Sequence, residues 1–201
     1  IDSIADQEID EDNVLTLTLS AFDIDGDMLS YSAFDGDTDL NVIGNQLPIT
    51  PVADYNGTVG ITVTVSDQEY SDSTSFTLTV NPVNDAPVLD LVDDQSIDED
   101  SSLTLTLSGS DIDGDQLYFD ASVDGNASLQ LDGTELFIQP NQDYNGNIVV
   151  SYSVSDGEYS SSGSFEINVV PVNDAPVIGS LDNQTIDEDT FLTLQLSAND
   201  V

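Results

Sequence analysis

The chain repeats itself, and the repeat decides what it can fold into. I-D-E-D occurs at Ile9–Asp12, Ile97–Asp100 and Ile186–Asp189, a spacing of 88 and then 89 residues. D-I-D-G-D occurs at Asp23–Asp27 and Asp111–Asp115, D-Y-N-G begins at Asp54 and Asp143, and P-V-N-D-A-P-V runs over Pro82–Val88 and Pro171–Val177. Self-similarity at a fixed period marks an array in which each copy is one structural unit. Two full units and the beginning of a third are present, and the last 29 positions, 173–201, are expected to be a linker and the first strands of an incomplete third copy in a longer array.

Within each copy the apolar residues alternate with period two, as in L-T-L-T-L at Leu15–Leu19 and Leu103–Leu107. Alternation of this kind places one face of a strand inward and is incompatible with a helix. Further runs lie at Leu29–Phe34, Leu47–Ile49, Ile61–Val65 and Phe76–Val80, with counterparts at Leu117–Phe119, Leu136–Ile138, Val150–Val154 and Phe165–Val169. Weaker strands are expected near Ile4 and over Asn41–Ile43. Asp-Gly, Asn-Gly and Ser-Asp turns separate them. About seven short strands per copy predict an all-β fold of tandem Greek-key sandwiches of the immunoglobulin-like kind. The prolines of P-V-N-D-A-P-V lack an amide donor and fix φ, so this stretch reads as a short stiff linker, with successive sandwiches end to end. The expected divisions are 1–83, 84–172 and 173–201.

Composition then removes whole classes of function. Lys, Arg, His and Cys are absent, against 40 Asp plus Glu and a net charge of -40. Nucleic acids and anionic membrane surfaces are held by basic side chains, so neither is a direct partner. Disulfides, thiolate chemistry, imidazole bases and the usual zinc sites are excluded with the residues they need. No apolar run is long enough to insert into a bilayer. Carboxylates, hydroxyls and amides remain, and nothing in their spacing singles out a catalytic pair, so the chain is not expected to be an enzyme. With 38% hydrophobic residues a core can form, but carboxylates crowded on a compact body repel one another unless cations arrive.

The ordered series I-D-E-D, D-x-D-G-D, D-Y-N, S-D-x-E and N-D-A-P resembles cadherin repeats, and more narrowly the cadherin-like tandem repeats of large bacterial surface proteins and adhesins. It covers essentially the whole chain. The resemblance implies calcium ions held jointly by the base of one domain, the linker and the top of the next. At the first junction it implicates Glu11, Asp54, Asn84, Asp85, Asp111, Asp113 and Asp156. At the second it implicates Glu99, Asp143, Asn173, Asp174 and Asp200, while Asp23, Asp25 and Asp67 would be half-sites at the top of the first unit. Calcium takes six to eight oxygens, and the two Asp of D-x-D can be turned toward one ion. An EF-hand does not fit: its sixth position would be Met28 or Gln116 instead of Gly, and its twelfth Phe34 or Asp120 instead of Glu.

Two departures reduce the ligand supply. Asn56 and Asn145 stand where the family's middle motif carries an acid, and Asn81 and Val170 where an acid precedes the linker; Asp27 and Asp115 are extra carboxylates. Each single Asp-Gly or Asn-Gly cluster also has an ordinary reading as a turn. Tyr55 and Tyr144 are expected as corner residues that pack a loop. Sequons at Asn56, Asn126 and Asn183 matter only in a eukaryotic host. The resulting expectation is a calcium-stiffened extender in a secreted or surface-attached protein, extracellular and bacterial, with calcium ions and neighbouring repeats as partners. The alternative is calcium-dependent self-association with other copies into a fibre or cell-cell contact; a salt-adapted acidic surface is a third.

Overall fold

A computed structural model describes residues 1–200 and contains strands, turns and loops with no helix among them. The described chain divides into two compact units, Ile1–Asn84 and Asp85 onward.

Unit 1 has seven strands: β1 (Gln7–Asp10), β2 (Leu15–Thr18), β3 (Ser30–Phe34), β4 (Asp39–Leu40), β5 (Gln46–Ile49), β6 (Gly57–Ser66) and β7 (Ser71–Asn81). One sheet has the order β1-β7-β6-β3-β4, and β2 pairs with β5 opposite it. Between them lie Leu19, Ala33, Leu47, Ile49, Ile61, Val63, Phe76, Leu78 and Val80, all buried. The long β6–β7 hairpin shows how the pattern works: Ile61, Val63 and Val65 are buried while Thr62 is exposed, as period two requires.

Unit 2 has β8 (Val88–Leu89), β9 (Gln95–Asp98), β10 (Leu103–Thr106), β11 (Gly109–Ser110), β12 (Tyr118–Val123), β13 (Ala127–Asp132), β14 (Glu135–Pro140), β15 (Gly146–Ser155) and β16 (Ser160–Val170). Sheets β12-β15-β16-β9 and β10-β14-β13 enclose Leu107, Leu136, Ile138, Ile148, Val150, Tyr152, Phe165, Ile167 and Val169, and β8 pairs with β11. Tyr152 meets Phe165 edge-on at 5.8 Å, and its hydroxyl accepts from Val92 N at 2.7 Å. The last stretch contributes β17 (Val177–Ile178) paired with β18 (Ala198–Asn199).

The alternating runs all became strands. The weaker expectations shifted: the first strand lies at Gln7–Asp10 instead of near Ile4, and Asn41–Ile43 gives only a bridge from Ile43 to Gln46 beside the two-residue β4. The strand that opens I-D-E-D runs parallel to the long strand closing the same sandwich, β1 with β7 and β9 with β16, so in units 1 and 2 half of that motif is strand and half is turn.

Candidate functional site

Each unit builds its acidic base in the same way. Where β1 ends, Glu11 turns inward and is 2% exposed; its Oε1 accepts from the linker amide Val83 N at 2.6 Å. In unit 2 Glu99 is 8% exposed and accepts from Val172 N at 2.5 Å. The main chain reinforces the grip, with Glu11 N bonded to Asn81 O and Glu99 N to Val170 O, both at 2.9 Å. This glutamate therefore ties the linker to its own sandwich. One oxygen is accounted for, and the other differs between units: Glu99 Oε2 accepts from Asn145 Nδ2 at 3.4 Å, whereas Glu11 Oε2 is buried without a hydrogen-bond partner.

The next residue was not singled out by the sequence. Asp12 and Asp100 adopt φ of 60° and 59°, and Asp54 and Asp143 both have φ of 58°. Left-handed backbone is unfavourable for residues other than glycine, but Asp tolerates it because its short side chain bonds locally. Asp12 Oδ1 accepts from Asp54 N at 3.3 Å, and Asp100 Oδ1 from Asp143 N at 3.2 Å, so the second acid of I-D-E-D positions the D-Y-N loop. The tyrosines of that loop are corner residues as expected, with Tyr55 donating to Thr58 O and Tyr144 to Asn147 O.

In unit 2 these pieces converge. Carboxylate oxygens of Asp100, Asp143 and Asp174 lie within 4.8 Å of one another, and Asp143 and Asp174 are half-buried. The Asp174 carboxyl is held above its ordinary value, first by burial and then by the charges of Asp143, Asp100, Glu99 and Asp200. Four of the five residues expected at this junction, Glu99, Asp143, Asp174 and Asp200, thus act on one place. Asn173 is exposed and donates from Nδ2 to Asp174 O at 2.8 Å.

The other acidic loops are stapled turns. Asp111 Oδ1 accepts from Asp113 N and Asp115 N, and Asp23 Oδ1 from Asp25 N and Asp27 N. Asp67 Oδ1 accepts from Glu69 N and Tyr70 N, and Asp156 Oδ1 from Glu158 N and Tyr159 N. The Tyr70 and Glu69 amides hold the Asp67 carboxyl below its ordinary value. The turn reading is therefore correct for one oxygen of each Asp. In unit 2 it is incomplete: oxygens of Asp111, Asp113 and Asp115 gather within 4.8 Å, Asp85 N donates to Asp113 Oδ2 at 2.8 Å, and Asp111 Oδ2 is buried without a partner. Among the described residues Asp156 belongs to neither converging group. Of the first-junction residues, Glu11, Asp54 and Asn84 lie in unit 1 and Asp85, Asp111, Asp113 and Asp156 in unit 2.

Buried carboxylate oxygens without donors, in a chain with no Lys, Arg or His, fit a hard cation with oxygen ligands and do not fit a soft one. Fold and loops together define tandem immunoglobulin-like sandwich modules that carry acidic loop clusters. The chain belongs to the bacterial Ig domain family, which matches residues 2–81 and again 84–168.

Chitinase A of Pseudoalteromonas piscicida is 26% identical over 165 residues, covering 78% of this chain and 20% of that protein. The chain thus spans about a fifth of that relative. Among solved structures, human protocadherin-24 EC1-2 has a TM-score of 0.51 at 16% identity, covering 77% of this chain and 88% of that one. Drosophila N-cadherin EC1-4 has a TM-score of 0.49 at 16% identity, covering 85% and 48%. The protocadherin likeness bears on the fold alone.

Proposed function

We propose that these modules are extenders of a larger extracellular or cell-surface protein, stiffened by calcium at the acidic clusters where one module follows another. The observation that carries the reading is the second cluster. Asp100, Asp143 and Asp174 converge within 4.8 Å, Asp174 is pushed toward its protonated form first by burial and then by four neighbouring acids, and no side-chain cation exists to relieve them. A calcium ion would supply positive charge and replace water by carboxylate oxygen. Glu99, Asp100, Asp143, Asp174 and Asp200 would hold it there. By the same reading Glu11, Asp12, Asp54 and Asn84 of unit 1, and Asp85, Asp111, Asp113 and Asp115 of unit 2, would serve the first junction. The protein's own contribution is positional: Glu11 and Glu99 pin the linker, and Asp12 and Asp100 fix the loop that presents Asp54 and Asp143.

Extracellular calcium modules bind with Kd of about 10⁻⁴ to 10⁻³ M. At ten times Kd each site adds RT ln 11, about 1.4 kcal/mol, so the response is graded and builds over several sites. Titration with calcium, followed by small-angle scattering and thermal unfolding, tests the reading. Calcium should raise the melting temperature and narrow the distribution of dimensions, and EGTA should reverse both. Unchanged dimensions and melting across millimolar calcium would refute it. The likeness to Chitinase A supports a related reading, in which the same spacer stands between parts of a polysaccharide-degrading enzyme instead of an adhesin.

A further inference from the structure

The D-Y-N-G loop contains the two places in the chain where asparagine directly precedes glycine, Asn56–Gly57 and Asn145–Gly146. The glycine is imposed by the fold. Its φ is 141° in unit 1 and 131° in unit 2, and an added Cβ would stand 2.9 Å from Tyr55 Oη and 3.1 Å from Tyr144 Oη. Those hydroxyls are occupied as corner bonds to Thr58 O and Asn147 O, so the rings do not move aside without losing them. The missing side chain also leaves the glycine nitrogen unshielded toward the preceding residue, and both asparagines are exposed to water.

We propose that Asn56 and Asn145 are self-modification sites, which deamidate through a cyclic imide and thereby place one additional carboxylate in each acidic cluster, Asn56 ahead of Asn145. The glycine nitrogen gives up its proton to hydroxide and bonds to the asparagine Cγ. The Cγ–Nδ2 bond breaks and ammonia leaves with a proton from water. A water molecule then opens the ring. Attack at the side-chain carbonyl yields Asp; attack at the main-chain carbonyl yields isoaspartate, with one more methylene in the backbone. Asp carries the new carboxylate on its side chain and isoaspartate carries it on Cα, so each product gains one negative charge, and no oxidant or reductant takes part.

The order follows from the second oxygen of the buried glutamate. Asn145 Nδ2 is held by Glu99 Oε2, whereas Glu11 Oε2 has no partner and so does not hold Asn56. Loss of one long hydrogen bond corresponds to a rate advantage of about twofold to fivefold. In unit 2 the change removes the Asn145 donor from Glu99 Oε2 and sets two anions against each other. The chemistry stands apart from the calcium reading; only its meaning as added ligand supply rests on that reading.

The test is prolonged incubation of the 201-residue chain in mildly alkaline buffer made with ¹⁸O water, with EGTA and in parallel with millimolar calcium. Chymotryptic mapping then locates the products, since the chain offers trypsin no Lys or Arg. The expected result is the deamidation mass gain in the two peptides that carry Asn56–Gly57 and Asn145–Gly146, first at Asn56, with the other asparagines unchanged. N56Q and N145Q should each abolish the gain at their own site. The proposal is overturned if neither site reacts while a free peptide spanning residues 143–149 does, if the gain appears only after thermal unfolding, or if Asn145 reacts first. Equal rates in EGTA and calcium leave the deamidation standing and count against the calcium reading alone.

Discussion

The two units descend from one pattern, yet they solve the same stretch of chain differently. Between Gly36 and Gly44 unit 1 forms only the two-residue β4, which pairs with β3; between Gly125 and Gly133 unit 2 forms the six-residue β13, which pairs with β14 in the opposite sheet. The lengths are equal, so the cause is chemical. Leu19 N donates to Asn45 O just ahead of β5, which turns Leu47 and Ile49 of that strand toward β2 and leaves Pro48 facing the other edge. Proline has no N–H to give a third strand there. Unit 2 has Phe137 at that place, opposite Gln130. The preceding turn agrees: Asp35 bonds Asp37 N and Thr38 N within its own loop, whereas Asp124 reaches across to Val149 N of β15. One imino acid moves a strand between sheets, and it also protects an exposed edge from pairing with other chains.

The strongest way to break this comparison is to weaken one core at a time. Leu47→Ala and Leu136→Ala, both at fully buried positions, should each cost about 2–5 kcal/mol. Calorimetry in EGTA should show each substitution lowering one of two transitions; a single transition moving equally in both variants would remove the independence of the units. Tyr152→Phe comes next. It leaves Val92 N without its acceptor and should destabilise unit 2 by about 1–3 kcal/mol in denaturant titration. Unit 1 carries Val63 at the matching place and has no such bond to lose.

Smaller effects sharpen the contrast at the clusters. Glu11→Gln keeps an oxygen for Val83 N and removes a buried anionic oxygen without a partner, so in EGTA it should stabilise unit 1 by about 1 kcal/mol while blunting the calcium-induced rise in melting temperature. Glu99→Gln should give no such gain, because its new amide would face Asn145 Nδ2, donor against donor. The smallest effect is the response to acid. Asp174 holds its proton to higher pH when folded than when unfolded, so ionising it costs stability; that loss is recovered as pH falls through the raised value and is complete below the ordinary value of 3.8. Asp67 has the opposite sign: its contribution is present above 3.8 and is lost as pH falls toward the lowered folded value. Melting of D174N and D67N against pH, without calcium, should remove these opposed slopes from units 2 and 1 respectively.

Strands were legible because burial forces period two, and both cores are read directly from runs such as Ile61–Val65 and Val150–Val154. The fate of Asn41–Ile43 was not, because it depends on an edge donor missing from Pro48, a residue in another strand. Most of the second cluster followed from the family resemblance. Asp12 and Asp100 were missed because an acid at a turn looks like solvated surface until its backbone is seen to be left-handed. A signal was present: the same acid ends all three I-D-E-D motifs, and Asp189 also has φ of 62°. Asn81, in a place where an acid was expected, proves to be a donor that spans Glu8 and Asp10 on the outer face.

The parallel pairing of β1 with β7 and of β9 with β16 has a mechanical consequence. In β1 with β7 and in β9 with β16, four residue pairs lie side by side and the chain leaves the two strands at opposite ends. Tension along the chain then loads all four pairs in shear at once, so they must yield together, whereas antiparallel partners pulled from a shared end would unzip singly. The carboxylate of Glu11 or Glu99, clasping the amide just beyond the ladder, adds a further latch in the line of force.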